Sequence, residues 1–401
     1  MTHPLRARPG PNGDASPAIV AIPARDEAGR IEACLRALAD QRALDGGPLD
    51  WRGRAVLVLA NDCADDTAAR ARALQPALPF ALLCREVRLP PALAHAGGAR
   101  RAALDLAADH LAAALLPTTG ARDGVLLSTD ADTRARPDWL ARNLAAIAAG
   151  ADAVAGSIAL DPAERPPLFA GARHLEAAYA DLSAEIAARL DPRPHDPWPN
   201  HRWAWGASLA VRLSAYRRIG GLPAVRLAED RALVARIEAA DLRVRHALDV
   251  GVWTSPRLAG RAPGGYADLL RSYVADEDAP CDALLEPALL TCRRALWRAR
   301  LRRLHALGRL GAVALWAPRL NLSAPEARAL LGPPAFGAVW QAVERASPRL
   351  VPVRLRPRQL PEEIEVLERV LARLRRDAAG RAGSAPAAPR PAPRPPLPGV
   401  G

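Results

Sequence analysis

The sequence predicts an α/β fold, with a mostly parallel sheet flanked by helices and a helical C-terminal extension. Short apolar runs that end in polar or breaking residues alternate with helical patterns up to about residue 255. Such runs are typical of parallel strands, which are buried on both faces. After residue 256 the pattern is helical throughout. Because 50% of the 401 residues are hydrophobic, the chain can bury a sizeable core.

Four strands and three helices are predicted in order. The strands are 18–23, 55–60, 80–83 and 124–128, and the helices lie near 31–38, 66–74 and 96–115. Polar clusters follow three of these strands, namely Arg25-Asp26-Glu27, Asn61-Asp62 and Asp130-Ala131-Asp132. Ligands of open α/β sheets bind beyond the carboxyl ends of the strands. The sequence therefore predicts a binding site at this edge of the sheet.

Composition divides the chain into four segments. We expect a loose arm over 1–16, an α/β domain over 17–256, a helical region over 257–376 and a disordered Pro/Ala/Arg tail over 377–401. The 55 basic residues are all Arg, and the net charge is +12. The codon bias of a GC-rich genome accounts for this usage, so charge alone does not indicate a nucleic-acid partner.

Targeting signals and cysteine motifs are not found in the sequence. No apolar run is long enough to span a membrane, and the first 17 residues lack the apolar region of a secretory signal. The five cysteines form no CxxC pair, which argues against a zinc site or a disulfide framework. We therefore expect a cytoplasmic protein with reduced cysteines.

Asp130 and Asp132 are candidate metal ligands. Two carboxylates at this spacing, directly after a buried strand, can hold Mg²⁺ or Mn²⁺ together with substrate phosphates. An Asp-rich turn that caps the next helix is the alternative interpretation. At the end of the second strand, Asn61 can hydrogen-bond a nucleobase edge, whereas Asp65 and Asp66 suit the start of a helix.

Two further motifs could carry chemistry. Gly97 and Gly98 open a helix that continues with Arg100 and Arg101, an arrangement that suits a phosphate group. An ordinary loop before a solvated Arg face explains it equally well. The acidic pair Glu229-Asp230 begins another helix; one of the two could be a general base, and helix capping is the alternative.

In their order along the chain, these motifs resemble family 2 glycosyltransferases of the GT-A fold. The resemblance covers roughly residues 17–260. It implies inverting transfer of one sugar from a nucleotide-diphosphate sugar, with UDP favoured over GDP, and a divalent metal, Mg²⁺ or Mn²⁺. The QxxRW signature of processive synthases is missing, so we expect one sugar per turnover.

The resemblance also implies roles for individual residues. Donor binding falls to Pro23, Arg25, Glu27, Asn61, Gly98, Arg100 and Asp130. The DxD motif, Asp130 and Asp132, holds the metal, and Asp230 with Glu229 supplies the catalytic base. Gly206 and Ala207 match the small-residue turn beside the donor sugar and the acceptor. The aromatic segment 195–205 adds Trp205 and His201 as acceptor-binding candidates.

The chain departs from the family late in the domain. Many relatives have a His there that makes a further metal or phosphate contact, and the corresponding strand near Trp253 has none. His246, Arg257 and Arg261 are the candidates to replace it.

Other functions are considered beside the transferase. A nucleotidyltransferase would favour a Gly-rich loop after the first strand, where this chain has Pro23 and Arg25. A third class is an anionic-surface binding protein on a degenerate GT-A fold. It would use the arginine-rich helix from Arg293 to Arg309. This helix lies in the segment 287–320, which has eight Arg and no acidic residue, and Arg294, Arg298 and Arg302 form a ridge at i+4 spacing on it. Peripheral contact with an anionic membrane is compatible with the transferase, whereas no nucleic-acid partner is expected.

Overall fold

The computed structural model describes residues 16–165 and 171–381. The predicted arm, except residue 16, and the predicted tail beyond residue 381 lie outside the described residues. The last helix continues to Arg381, past residue 377, where the sequence predicts the tail to begin. Asp377 is followed by two alanines, which favour continuation of a helix.

All predicted strands and helices are present with small shifts of their ends. The strands are β1 (Ala18–Ala24), β2 (Arg54–Asn61), β3 (Ala81–Val87), β4 (Val125–Ser128), β5 (Thr133–Ala135), β6 (Ala153–Leu160), β7 (Leu209–Arg212) and β8 (Val244–Thr254). The helices are α1 (Ile31–Ala39), α2 (Thr67–Leu74), α3 (Ala96–His110), α4 (Leu116–Thr119), α5 (Trp139–Ala148), α6 (Glu176–Leu190), α7 (Leu213–Arg218), α8 (Glu229–Ala239), α9 (Tyr266–Ala275), α10 (Ala288–Ala306), α11 (Ala324–Ala329), α12 (Phe336–Ala346) and α13 (Leu360–Arg381).

The eight strands form one sheet in the order β3-β2-β1-β4-β7-β6-β8-β5. The first four strands in this order are mutually parallel, and β6 is parallel to β8. The sheet is nevertheless mixed, because β7 runs antiparallel to both β4 and β6, and β5 antiparallel to β8. The sequence analysis did not predict β5, β6 or β7. A strand of three residues, such as β5, is too short to establish a periodic pattern.

Burial explains why the first strands were predictable. Every residue of β2 is buried, as is every residue of β1 except the half-buried Pro23. Helix α1 packs on this core with one apolar face, formed by Ile31, Cys34, Leu35 and Leu38. The carboxyl ends of β1, β2 and β4 are thereby fixed at one edge of the sheet.

The chain forms two compact units. Unit 1 comprises residues up to 161 together with 204–234 and 243–255, and unit 2 comprises 162–203, 235–242 and the residues from 256 onward. Unit 1 contains the sheet. Unit 2 is helical, as predicted for the C-terminal region. It also includes α6 and the second half of α8, which precede residue 256 in the sequence. A single boundary at residue 256 does not anticipate this interleaving, because chain order does not reveal which helices pack together.

The predicted arginine ridge on α10 is engaged within unit 2. Arg294 forms ion pairs with Glu286 and Glu344, both at 2.7 Å. Arg298 and Arg302 both pair with the fully buried carboxylate of Asp191. Three arginines of this helix are therefore neutralised by protein partners, and the predicted anionic-surface contact of the helix stays a prediction. The acids that neutralise these arginines come from distant parts of the sequence.

No helix among residues 16–165 and 171–381 has the length and apolar character needed to cross a membrane.

Candidate active site

The parallel strands bring the predicted polar clusters to one edge. Ala24 at the end of β1 pairs with Ala60, so Arg25 and Asn61 follow neighbouring strand ends. Ser128 at the end of β4 pairs with Ala21, and Asp130 follows two residues later. The sheet thus juxtaposes groups that are far apart in sequence, as the edge argument predicted.

A buried guanidinium lies at the centre of this edge. Arg100 of α3 donates to Asp130 at 2.7 Å and to Glu229 at 2.9 Å, and both are ion pairs. It also donates to the Ser128 hydroxyl at 2.8 Å and to the Gly206 carbonyl at 2.9 Å. Its side chain is only 8% exposed. The donor groups of Arg100 are therefore already bonded to protein partners. A diphosphate that contacts Arg100, as the resemblance implies, would have to compete with these partners.

Charge balance makes this burial tolerable. Burial alone would lower the pKa of Arg100, but the carboxylates of Asp130 and Glu229 outweigh it and hold the pKa above its ordinary value. A buried charge needs both paired charges and hydrogen bonds to be stable. Arg100 has both, so it fixes the relative positions of the DxD motif, the acidic pair and the turn at Gly206.

The acidic pair divides into two roles. Glu229 is buried and held by Arg100. Asp230 accepts hydrogen bonds from two backbone amides, Gly206 at 2.9 Å and Arg231 at 2.7 Å, and Arg100 makes no ion pair with it. Burial raises the pKa of Asp230 and the nearby charge of Glu229 raises it further, while Arg100 opposes the shift. A carboxyl group with a raised pKa at a site edge is a candidate base.

The DxD motif lies at a sharp turn between two strands. The Asp130 carbonyl accepts from the Thr133 amide at 3.1 Å, and Thr133 then begins β5. Arg100 uses one carboxylate oxygen of Asp130, and Asp132 is half-buried. Two carboxylates supply few ligands, and an Mg²⁺ or Mn²⁺ ion commonly takes the rest from phosphates and water. The donor set therefore fits such an ion.

Unsatisfied polar atoms mark the same edge. Within the described residues, Oδ2 of Asp62 and the hydroxyl of Thr129 are buried without a hydrogen-bond partner. Asn61, the residue before Asp62, is 4% exposed. Buried polar groups are normally paired, so such groups indicate a missing partner such as a ligand. Sequence reasoning found Asn61 but missed Thr129, since a Thr at a strand end gives no distinctive signal.

The loops after β1 and β2 are tied to each other. Asp26 accepts from the Ala64 amide at 2.7 Å, and Asp65 accepts from the Ala28 amide at 3.0 Å. The Glu27 amide donates to Thr67 at 2.8 Å, and Glu27 is buried. These contacts fix the loop that follows Pro23 and carries Arg25 and Glu27, and all three are predicted donor-binding residues. Of the other two, Pro23 is half-buried and Arg25 is exposed.

Asp26, Cys63 and Asp65 also lie close enough together to share a metal ion. The carboxylates of Asp26 and Asp65 already accept from backbone amides. This cluster therefore has a structural explanation.

The glycines at the start of α3 serve packing. A Cβ at Gly97 would overlap the carbonyl of Val225, and one at Gly98 would overlap the carbonyl of Leu93. The Gly98 amide donates to the His95 ring at 3.1 Å, which caps the helix. The donor-binding role predicted for Gly98 thus has a structural alternative, because its missing side chain faces protein backbone.

The position of the Arg100 guanidinium requires a glycine at residue 206. A Cβ at this position would lie 2.5 Å from Nη2 of Arg100, which is closer than real Cβ atoms approach. The next residue, Ala207, is buried, and Trp205 before it is half-buried. The small-residue turn therefore has a physical cause, namely the approach of a guanidinium to backbone.

We expect Gly206→Ala to destabilise the protein by about 1–3 kcal/mol, because the new methyl group must displace a buried ion-paired side chain. Gly29→Ala is the matched control, since a Cβ there meets nothing within 4 Å. Its effect should stay within about 0.5 kcal/mol. Urea denaturation of both variants measures the difference, and equal midpoints would contradict this view of the turn.

Other predicted residues lie elsewhere. His246 is buried near the start of β8, eight residues before Thr254, which pairs with Thr133 beside the DxD motif. On the neighbouring strand β6, His246 pairs with Ala155 and Thr254 with Leu160, because β8 bulges between them. At ~3.3 Å per strand residue, these five steps span about 16 Å. The metal or phosphate contact predicted for His246 stays a prediction.

Three candidates belong to unit 2. His201 is buried there, and its Nδ1 accepts from the Trp203 amide at 3.1 Å. Its predicted acceptor contact stays a prediction. Arg257 and Arg261 are also in unit 2, and both have interactions with other groups. Their proposed phosphate contact stays a prediction.

A cavity of about 590 Å³ lies in unit 1 at the opposite end of β5 from the DxD motif. Arg136, which directly follows β5, and Trp253 contribute to its lining. None of the predicted site residues does. The cavity is therefore separate from the candidate active site.

Comparison with known proteins matches residues 19–178 to the family model described as glycosyl transferase family 2. No curated protein matches the chain. The solved structures that are similar to it include the following three. A mannosyltransferase, PcManGT, from Pyrobaculum calidifontis in complex with GDP-Man and Mn²⁺ is 20% identical over 85% of this chain and 89% of that one, with a TM-score of 0.43.

The second structure is S. aureus TarS 1–349 in complex with UDP-GlcNAc, with 14% identity over 82% of this chain and 89% of that one and a TM-score of 0.42. The third is glucosyl-3-phosphoglycerate synthase from Mycobacterium tuberculosis with Mn²⁺, UDP and phosphoglyceric acid. It is 17% identical over 65% of this chain and 77% of that one, with a TM-score of 0.37. The match to glycosyl transferase family 2 covers residues 19–178, which is about two fifths of the 401-residue chain.

Proposed function

We propose that the protein transfers one sugar, with inversion, from a nucleotide-diphosphate sugar to a hydroxyl group of a small or lipid-linked acceptor. The observation that carries this proposal is the buried guanidinium of Arg100, which holds Asp130 of the DxD motif and Glu229 of the acidic pair together. In such an enzyme the group that holds the donor diphosphate and the group that acts as the base must be held at a fixed distance from each other.

The donor side of the proposal rests on Asn61 and the two aspartates. A side-chain amide can accept from an imide N–H and donate to a neighbouring carbonyl, which is what a uracil edge requires. Asn61 lies where the resemblance implies a residue that reads uracil, and on this ground we favour UDP over GDP. Asp130 and Asp132 would hold Mg²⁺ or Mn²⁺, and a metal ion there would neutralise charge on the departing diphosphate.

Asp230 is the proposed base. It would accept the proton of the acceptor hydroxyl as the oxygen attacks the anomeric carbon from the face opposite the leaving group, which inverts that carbon. Its two backbone hydrogen bonds orient the carboxylate, and its raised pKa makes it a stronger base than an ordinary Asp. Glu229 acts as a positioning residue through Arg100. Trp205, Gly206 and Ala207 remain the acceptor-side candidates.

Two alternatives are less well supported. A nucleotidyltransferase would favour a Gly-rich loop after β1, and this chain has none at that position. The anionic-surface protein loses its main support, because the ridge of Arg294, Arg298 and Arg302 is ion-paired. We keep a cytoplasmic location with peripheral contact to an anionic membrane as part of the proposal, with another surface making that contact.

Calorimetric titration tests the donor site. UDP-, GDP- and dTDP-sugars would be titrated with Mn²⁺, Mg²⁺ or EDTA present. We expect one nucleotide class to bind in a metal-dependent way and Asp132→Ala to weaken binding by about tenfold or more, since it removes a metal ligand. Asp109→Ala, an exposed position on α3, is the control and should bind normally. No nucleotide binding, or binding unaffected by EDTA, would overturn the proposed donor site.

A further inference from the structure

Helix α10 has a second row of arginines, on the side away from the ridge. The row contains leucines as well as arginines. Its members are spaced by four and three residues in turn, which places them on one helix face. We call it the leucine–arginine stripe; it comprises Leu289, Arg293, Leu296, Arg300, Arg303 and, just after the helix, Leu307. The ridge arginines are about half a turn away, so the two rows face in opposite directions.

The stripe faces solvent. Leu289 is 65% exposed and Leu307 is 58% exposed, and Arg300 and Arg303 are also exposed. The buried residues of the same helix, such as Leu290 and Leu301, lie off the stripe and pack in the core of unit 2. Large apolar side chains that are exposed in a row, rather than singly, indicate an interaction surface.

A neighbouring segment extends the surface. Arg293 donates to the Arg349 carbonyl at 3.2 Å. Two residues beyond Arg349, Val351 is 56% exposed, and Val353 is 51% exposed. The sequence has no acidic residue between 287 and 325 or between 345 and 361. The surface is thus apolar and cationic, formed by segments that carry no acid.

The chemistry of this surface indicates which kind of partner it can bind. Arginine side chains can lie along an apolar boundary while their guanidinium groups reach phosphates at its surface. Nucleic acid offers the phosphates but nothing for the leucines. A symmetric contact with a second copy would set arginine against arginine, which is repulsive. An anionic bilayer satisfies both groups at once.

We propose that the leucine–arginine stripe, with Val351 and Val353, docks this protein on an anionic bilayer surface. The leucines enter the boundary between headgroups and acyl chains, and the arginines pair with lipid phosphates. This assigns a surface to the membrane contact in the proposed function, and it does not depend on the donor site.

Sedimentation of the full chain with vesicles tests the docking. The vesicles are phosphatidylcholine alone or mixed with phosphatidylglycerol, at low and physiological salt. Leu289→Ser/Leu296→Ser keeps the net charge, and Leu44→Ser, at a 59% exposed leucine in unit 1, is its control. Arg300→Gln/Arg303→Gln removes two charges, and Arg217→Gln/Arg218→Gln, at exposed positions on α7, removes two elsewhere.

We expect the wild type to bind only vesicles that contain phosphatidylglycerol. Each stripe variant should lose about tenfold or more in partitioning relative to its control. The proposal is overturned if the wild type does not bind at low salt, or if stripe and control variants bind alike, since net charge then suffices. It also falls if the wild type is a dimer that Leu289→Ser/Leu296→Ser dissociates. Titration of the same variants with a UDP-sugar separates the two proposals, because docking can fail while donor binding persists.

Discussion

Asp230→Asn should lower the rate of sugar transfer by about 10²- to 10⁴-fold, the usual contribution of a general base. Asparagine keeps the size of the side chain and an acceptor oxygen for one of the two backbone amides, but it cannot take a proton. Donor affinity should stay near the wild-type value, because no predicted donor contact is changed. Release of the nucleoside diphosphate from the donor sugar, with water or an added acceptor, measures the rate.

The pH dependence of the same reaction gives an independent check. Because burial and Glu229 raise the pKa of Asp230, the base becomes ionised at a higher pH than an ordinary Asp. The rate should therefore fall on the acidic side at a pH above that usual for a carboxylate. Glu229→Gln removes one cause of the raised pKa, so this acidic limb should move to lower pH. A rate within a few-fold of wild type in Asp230→Asn, or an unmoved limb in Glu229→Gln, would contradict the assignment of the base.

Arg100→Gln should destabilise the protein by about 3–5 kcal/mol, the cost of breaking a buried ion pair from one side. The substitution leaves the carboxylate of Glu229 buried without its partner and deprives Asp130 of its ion pair. Arg101→Gln is a closely matched control, since the next residue of the same helix is 38% exposed and pairs only with Asp105 at i+4. Its expected effect is about 0.3–0.5 kcal/mol. Urea denaturation of the protein without ligand measures both.

The outcome distinguishes positioning from phosphate binding. A positioning residue affects stability in the absence of donor, and Arg100→Lys should rescue little of the loss, because an ammonium group cannot reach four acceptors in one plane. If Arg100 instead binds the diphosphate, Arg100→Gln would unfold like the wild type and would weaken only the titration with nucleotide sugars.

Much of the fold could be predicted because its first strands are unusually simple. The runs that form β1, β2 and β4 are apolar and buried on both faces, so a continuous hydrophobic pattern identified them. The short strands β5 and β7 could not be found in this way. Neither could the grouping of 162–203 with the C-terminal helices, since the contacts that decide it are long-range in sequence.

For the candidate site, the sequence identified residue types but not their partners. Asp130, Asp132, Asn61 and the pair Glu229-Asp230 were predicted from their positions after strands or at a helix start. The sequence could not indicate that one guanidinium joins Asp130 to Glu229, because the three residues are separated by 30 and 129 positions. It also could not place His246 relative to the DxD motif, because that distance depends on the pairing of β5 with β8 and on a bulge in β8.

The two arginine rows of α10 separate the contributions of sequence and tertiary structure. The sequence alone determined that the helix is arginine-rich and free of acid, and that each row lies on one face, because helical periodicity is local. Only the tertiary structure decided which row is neutralised, since Asp191, Glu286 and Glu344 reach the ridge through packing. Pairing of charges depends on which segments come together in space, and a single sequence does not contain that information in readable form.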